Sequence, residues 1–187
     1  KTSIVATGNA VHFVIMACHN NPDFFEKLIF INPQSLYSQN QIPSKQTKIL
    51  KLLFETPIIG TFIYNVLNTK HTFEKTFIEE YFYDKSKIKE KYILNYMEAS
   101  QTYGFLAKYS FASFVGKFMN TNIIHALKEV NNSILMIGGA KKKDIETTLD
   151  NYAYYNSSIE VEYIPETKHL PQLEAPDKIL DKIKWFT

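Results

Sequence analysis

The sequence predicts an α/β fold: a mostly parallel sheet with flanking helices, into which an all-helical segment is inserted. Three observations predict it. Residues 1–33 read as a strand, a sharp turn, a helix and a second strand. A strand and helix rhythm returns from residue 122 onward, and the stretch between the two carries helical periodicity alone. A β-α-β crossover joins two parallel strands of a sheet covered by helices, so the expected organisation is core at 1–33, a helical insertion at 34–121 and core again at 122–187.

Ser3-Ile4-Val5-Ala6 is a short apolar run that breaks at Thr7-Gly8-Asn9, a tight turn needing small residues or positive φ. Ala10, Val11, Val14, Ile15, Ala17 and Cys18 recur at helical spacing until Asn20-Asn21-Pro22 stops the helix. Lys27 to Pro33 follows as a buried strand. Gln34 to Pro43 reads as a polar loop, and Thr47 to Phe54 as a short amphipathic helix with Ile49, Leu50, Leu52 and Leu53 inward. Pro57 opens a second helix, His71 to Tyr81 forms a third, Ser86 caps a fourth running to about Ser100, and Tyr103 to Met119 makes a fifth, interrupted by Gly104 and Gly116. Asn122 to Val130 is a short helix before the buried strand Ser133 to Gly139. A surface helix from Asp144 to Tyr155, an alternating strand from Ile159 to Ile164 and a closing helix from Asp177 to Phe186 complete the chain.

Composition narrows the function classes. A chain of 187 residues with 45% hydrophobic content supports one full core. The net charge is only +2, and all 21 basic residues are lysines. Without guanidinium forks the bidentate contacts of most specific nucleic-acid recognition are missing, so nucleic acid is not an expected partner. The apolar run Pro57 to Leu67 is shorter than the roughly 20 residues of a membrane span, so no span is expected. A lone cysteine, Cys18, on the apolar face of the first helix allows no intrachain disulfide and suits a reducing, cytoplasmic setting. The richness in Lys, Asn, Ile, Tyr and Phe suits an AT-rich bacterial genome. No cofactor or metal is implied by any motif.

The order of strand, small-residue turn, helix, Asn-Pro stop, apolar strand and second Asn-Pro resembles the nucleophile-elbow region of the α/β-hydrolase superfamily. That family's turn runs small-x-nucleophile-x-small. Counted back from Pro22, it falls on Ala6-Thr7-Gly8-Asn9-Ala10. The small positions are kept, and the nucleophile position is Gly8, which has no side chain. A register with Thr7 as nucleophile would put Val5 and Asn9 at the small positions, and Ser3 lies about one turn too early.

The resemblance extends further along the chain. The helical insertion stands where many members carry a cap domain, and its many aromatic residues would suit an apolar pocket, or simply pack its five helices together. After the strand ending at Gly138-Gly139 the family delivers its acid. This sequence offers Lys141 or Lys142 there, and the first carboxylate is Asp144. The Lys141-Lys142-Lys143 run reads as a solvated loop. Pro165 to Pro176 is similar to the family's histidine loop, with His169 at the base position. The backbone N–H of Asn9 would be one oxyanion donor.

The resemblance implies an esterase or lipase-like lineage acting on a small apolar ester, with serine-type activity impaired by the loss at Gly8. Two alternatives stay open: a non-catalytic relative binding a hydrophobic ligand or partner protein, and an enzyme using His169 as general base without a covalent intermediate. The family places strands and an oxyanion loop ahead of the elbow, so those are expected in a missing N-terminal segment or a separate chain. An unpaired edge strand would favour a dimer.

Overall fold

A computed structural model describes residues 1–187. Strand β1 (Thr2–Thr7), helix α1 (Ala10–Asn20) and strand β2 (Phe25–Ile31) open the chain. A short α2 (Leu36–Gln39) precedes the helices α3 (Lys45–Glu55), α4 (Ile59–Leu67), α5 (Lys70–Thr76), α6 (Glu90–Gln101) and α7 (Ala107–Val115). Helix α8 (Ile124–Glu129), strand β3 (Ser133–Gly139), α9 (Ile145–Tyr155), β4 (Ile159–Ile164), α10 (Pro171–Glu174) and α11 (Pro176–Phe186) follow. Residues 1–40, 81–85 and 121–187 form one compact unit, and residues 41–80 with 86–120 form a second.

In the first unit the four strands are all parallel, in the order β1-β2-β3-β4. Alternation along each strand sends residues to opposite faces. On one face Leu28, Phe30, Ile134 and Met136 pack under Val11, Ile15 and Cys18 of α1 and Leu149 and Tyr152 of α9. On the other, Ile29, Ile31, Leu135 and Ile137 meet Ile179 and Phe186 of α11. Strands β2 and β3 are covered on both sides, hence their unbroken apolar runs, whereas the edge strand β1 leaves Val5 exposed. Cys18 is buried as expected and donates to the Asn132 side chain.

The second unit is helical, and its rings pack edge to face: Phe111 stands 5.1 Å from Phe54 and 5.7 Å from Tyr64. Here the expected orientation of α3 is reversed. Ile49, Leu50, Leu52 and Leu53 are exposed, and Phe54 is the buried residue of that helix. The cause is tertiary. Helix α3 packs against α7 through the face of Thr47, Lys51 and Phe54, so closely that a Cβ on Gly116 would lie 3.0 Å from that of Lys51. The leucine-rich face is thereby turned outward.

Two smaller expectations also change. The polar loop after Pro33 holds α2, capped by Ser35. Ser86 lies in a short 3₁₀ turn, and α6 begins at Glu90 without a side-chain cap. No single helix is long and apolar enough to cross a membrane.

Candidate functional site

The site is built at the carboxyl ends of β1 to β4, where a parallel sheet leaves its loops free to converge. Strand β1 ends at Thr7, and Gly8 bends the chain with φ +55°, its N–H donating to the Ile31 carbonyl at 3.1 Å. A Cβ built on Gly8 would meet nothing within 4 Å. The turn therefore combines a left-handed bend with open space above it and carries no side chain. Asn9 follows as the residue before α1. Its side-chain carbonyl accepts from Gln39 at 3.3 Å, and its backbone N–H meets no acceptor in the chain.

His169 lies in the loop after β4, and that loop is firmly built. Its backbone N–H donates to the Tyr81 carbonyl at 3.0 Å, and its ring stacks on the Tyr81 ring at 5.0 Å with 18° between planes. The buried Glu174 carboxylate accepts from the backbone N–H groups of Lys168 at 2.7 Å, Tyr83 at 2.8 Å and Asp84 at 3.2 Å. Asn32, buried just past β2 at φ +46°, bridges the loop to the sheet. Its amide donates to the Lys168 carbonyl at 2.9 Å and the His169 carbonyl at 2.8 Å, while its oxygen accepts from Gly139 N–H at 3.0 Å. Gly139 has to be glycine, since a Cβ there would lie 1.9 Å from the Lys168 carbonyl oxygen.

These bonds link the two ends of the site through the end of β2. Gly8 is tied to Ile31, and the next residue, Asn32, is tied to His169, although β1 and β4 are opposite edges of the sheet.

The acid side is different. Lys141 is exposed, its ammonium 5.7 Å over the Tyr83 ring, and Lys143 is exposed as well. Lys142 departs from the expected solvated run: it turns inward and reaches the Pro33 carbonyl at 3.4 Å. Burial depresses its pKa to about 8. Asp144, exposed at φ +58°, precedes α9 and shares a polar depression with Lys142 and Glu146. No carboxylate stands within ion-pair distance of His169. Burial, reinforced by the Lys142 ammonium, holds the His169 imidazole down at about 4. At neutral pH the pair is thus a neutral imidazole beside a cation. Such a ring accepts a hydrogen bond, and protonating it would set two cations side by side.

No protein-family model matches this sequence, and no curated protein sequence does. Solved structures do match. One is a serine hydrolase from the polyaromatic-hydrocarbon-degrading bacterium Cycloclasticus zankles, at TM-score 0.70 and 14% identity, over 100% of this chain and 63% of that one. The chain has the α/β-hydrolase fold. A meta-cleavage product hydrolase from Pseudomonas fluorescens aligns at TM-score 0.69 and 14% identity, over 98% of this chain and 63% of that one. A thermophilic esterase from Thermogutta terrifontis aligns at TM-score 0.66 and 12% identity, over 100% and 64%. The chain spans under two thirds of the length of these α/β-hydrolase-fold proteins.

Asn32, Glu174 and Tyr81 were not legible as site residues from the sequence. Asn32 left a signal in the Asn-Pro that ends a buried strand, and Glu174 one in the Pro, Glu, Pro spacing after His169. Tyr81 left none, because its proximity to His169 is purely tertiary.

Proposed function

We propose that this chain is an α/β-hydrolase-fold protein of esterase or lipase-like lineage that has lost serine-type hydrolysis and binds a small apolar ligand or ester. In this reading the helical unit plays the part of a cap. One observation carries it: the elbow keeps its left-handed bend and its space at Gly8 but presents no nucleophile. Lys142 supports it, because a cation beside His169 opposes the imidazolium that acyl transfer requires. An intact His loop at the same end of the sheet as an elbow without a nucleophile suits binding without acyl transfer. The reading of His169 as a stand-alone general base has less support, since an imidazole held so far below neutrality is a weak base.

Hydrolysis of short-chain and medium-chain nitrophenyl esters by the full protein tests this. The unaltered chain is expected to match its His169→Ala variant. Gly8→Ser combined with Lys142→Asp is expected to raise turnover by about tenfold or more, and adding His169→Ala should abolish the gain. Hydrolysis by the unaltered chain that disappears in His169→Ala would sink the proposal and favour the general-base alternative.

A further inference from the structure

The α3–α4 corner shows an apolar surface that the helices of its own unit leave exposed. Helices α3 and α4 meet at 95° across Thr56, Pro57 and Ile58. The corner is rigidly made. Lys108, 1% exposed, donates to the Thr56 carbonyl at 2.7 Å and to the Thr61 hydroxyl at 2.9 Å. Gly60 N–H donates to the Thr56 hydroxyl at 2.9 Å, and any Cβ on Gly60 would strike the Phe54 carbonyl oxygen at 2.0 Å. A buried lysine is an expensive fastening, tolerated only where its ammonium is well bonded.

What this corner presents outward is apolar: Leu52 is 63% exposed, Ile58 83% and Phe62 68%. Ile49 and Leu53 extend the stripe along α3, and Val66 extends it along α4. The aromatic Phe105 adjoins it, sharing a depression with Thr61 and Asn65, and it too is exposed. Isolated exposed apolar residues are ordinary, whereas several at i, i+3 and i+4 spacing on two adjoining helices mark an interaction surface.

The charges say which kind. Residues 45–67 hold three lysines (Lys45, Lys48, Lys51) and one glutamate (Glu55), a net +2 equal to that of the whole chain. Glu55 is taken by Lys51, leaving Lys45 and Lys48 exposed with no carboxylate partner. An apolar corner with unneutralised lysines beside it joins hydrophobic surface to positive charge. It suits the headgroup boundary of a bilayer, which demands no shape complementarity and supplies negative charge.

We propose that the α3–α4 corner docks this protein on an anionic lipid surface, inserting Leu52, Ile58 and Phe62 at the headgroup boundary with Lys45 and Lys48 on lipid phosphates. The surface is distinct from the Gly8 and His169 site and does not depend on any activity there.

Co-sedimentation with vesicles tests it, using phosphatidylcholine alone and an equal mixture with phosphatidylglycerol. The full protein is expected to bind the mixed vesicles, more weakly as salt rises, and the neutral ones poorly. Replacing Lys45 or Lys48 by Gln should lower the partition coefficient about fivefold each. Ile58→Glu with Phe62→Glu should abolish binding while leaving the circular dichroism unchanged, because both side chains are exposed. Tyr154→Glu, an exposed ring on α9, should bind as the parent does. The proposal is overturned if the parent stays unbound, if the Ile58 and Phe62 variant binds equally well, or if Tyr154→Glu is released too. It is equally overturned if sedimentation velocity shows a dimer that the same double variant dissociates while no vesicle binding occurs, which would make the corner a contact between two copies.

Discussion

The elbow at the end of β1 and the histidine loop after β4 face the same end of the sheet, yet their construction differs. At the elbow the turn is backbone alone: Gly8 has φ +55°, no side chain and open space around it. At the histidine loop both the side chain and its supports are present, with Asn32, Gly139 and Glu174 holding the backbone of Lys168 and His169. The difference teaches that geometry and chemistry are separable within one site. A turn is set by backbone conformation and tolerates any small residue, whereas a loop carried across the sheet needs specific buried donors and acceptors.

Paired glycine substitutions give the sharpest test of that contrast. Gly139→Ala is expected to cost about 3 kcal/mol or more, or to prevent folding, because its Cβ would collide with the Lys168 carbonyl. Gly8→Ala, by contrast, meets no atoms and should cost only about 1 kcal/mol for the left-handed backbone. Urea denaturation of both variants measures the gap, and equal costs would break the comparison.

Removing the braces should rank next. Asn32→Ala removes the hydrogen bonds that hold two part-buried carbonyls and the buried Gly139 N–H, and Glu174→Ala removes three bonds from a buried carboxylate to backbone N–H groups, so about 2–4 kcal/mol is expected for each. At the elbow, Asn9→Ala loses a single bond to the buried Gln39 amide and should cost about 1 kcal/mol.

His169 adds a pH dependence that the elbow lacks. Burial depresses its pKa from 6.5 to about 4, so between those values the unfolded chain takes up a proton that the folded one refuses. Its contribution to stability is complete above pH 6.5 and declines as pH falls toward 4. The urea midpoint of the parent should therefore drop more steeply over this window than that of His169→Gln, and parallel curves would show that the ring is not desolvated.

The smallest effect concerns Lys142. Lys142→Gln removes the lesser of the two causes acting on His169, so the imidazole pKa should move up from about 4 and remain below 6.5. An NMR titration of the ring reads this directly. No movement would place the ammonium too far away to matter.

The sequence by itself determined the parallel strands, the elbow and the order of the elements, because periodicity and turn chemistry act over a few neighbouring residues. Gly8 and His169 could be placed at the elbow turn and in the last loop from those local patterns alone. Tertiary structure decided the rest. Lys142, one of three consecutive lysines, turns inward while its neighbours stay in water, and only the packing of the loop against Pro33 separates them. Asn32 becomes the brace because parallel pairing puts it between Gly139 and the histidine loop, residues more than a hundred positions away. The apolar stripe of α3 faces outward because the contact of Phe54 with Phe111 chose the opposite face of the helix. A hydrophobic pattern tells how a helix is striped, but the partner across the contact determines which stripe is buried.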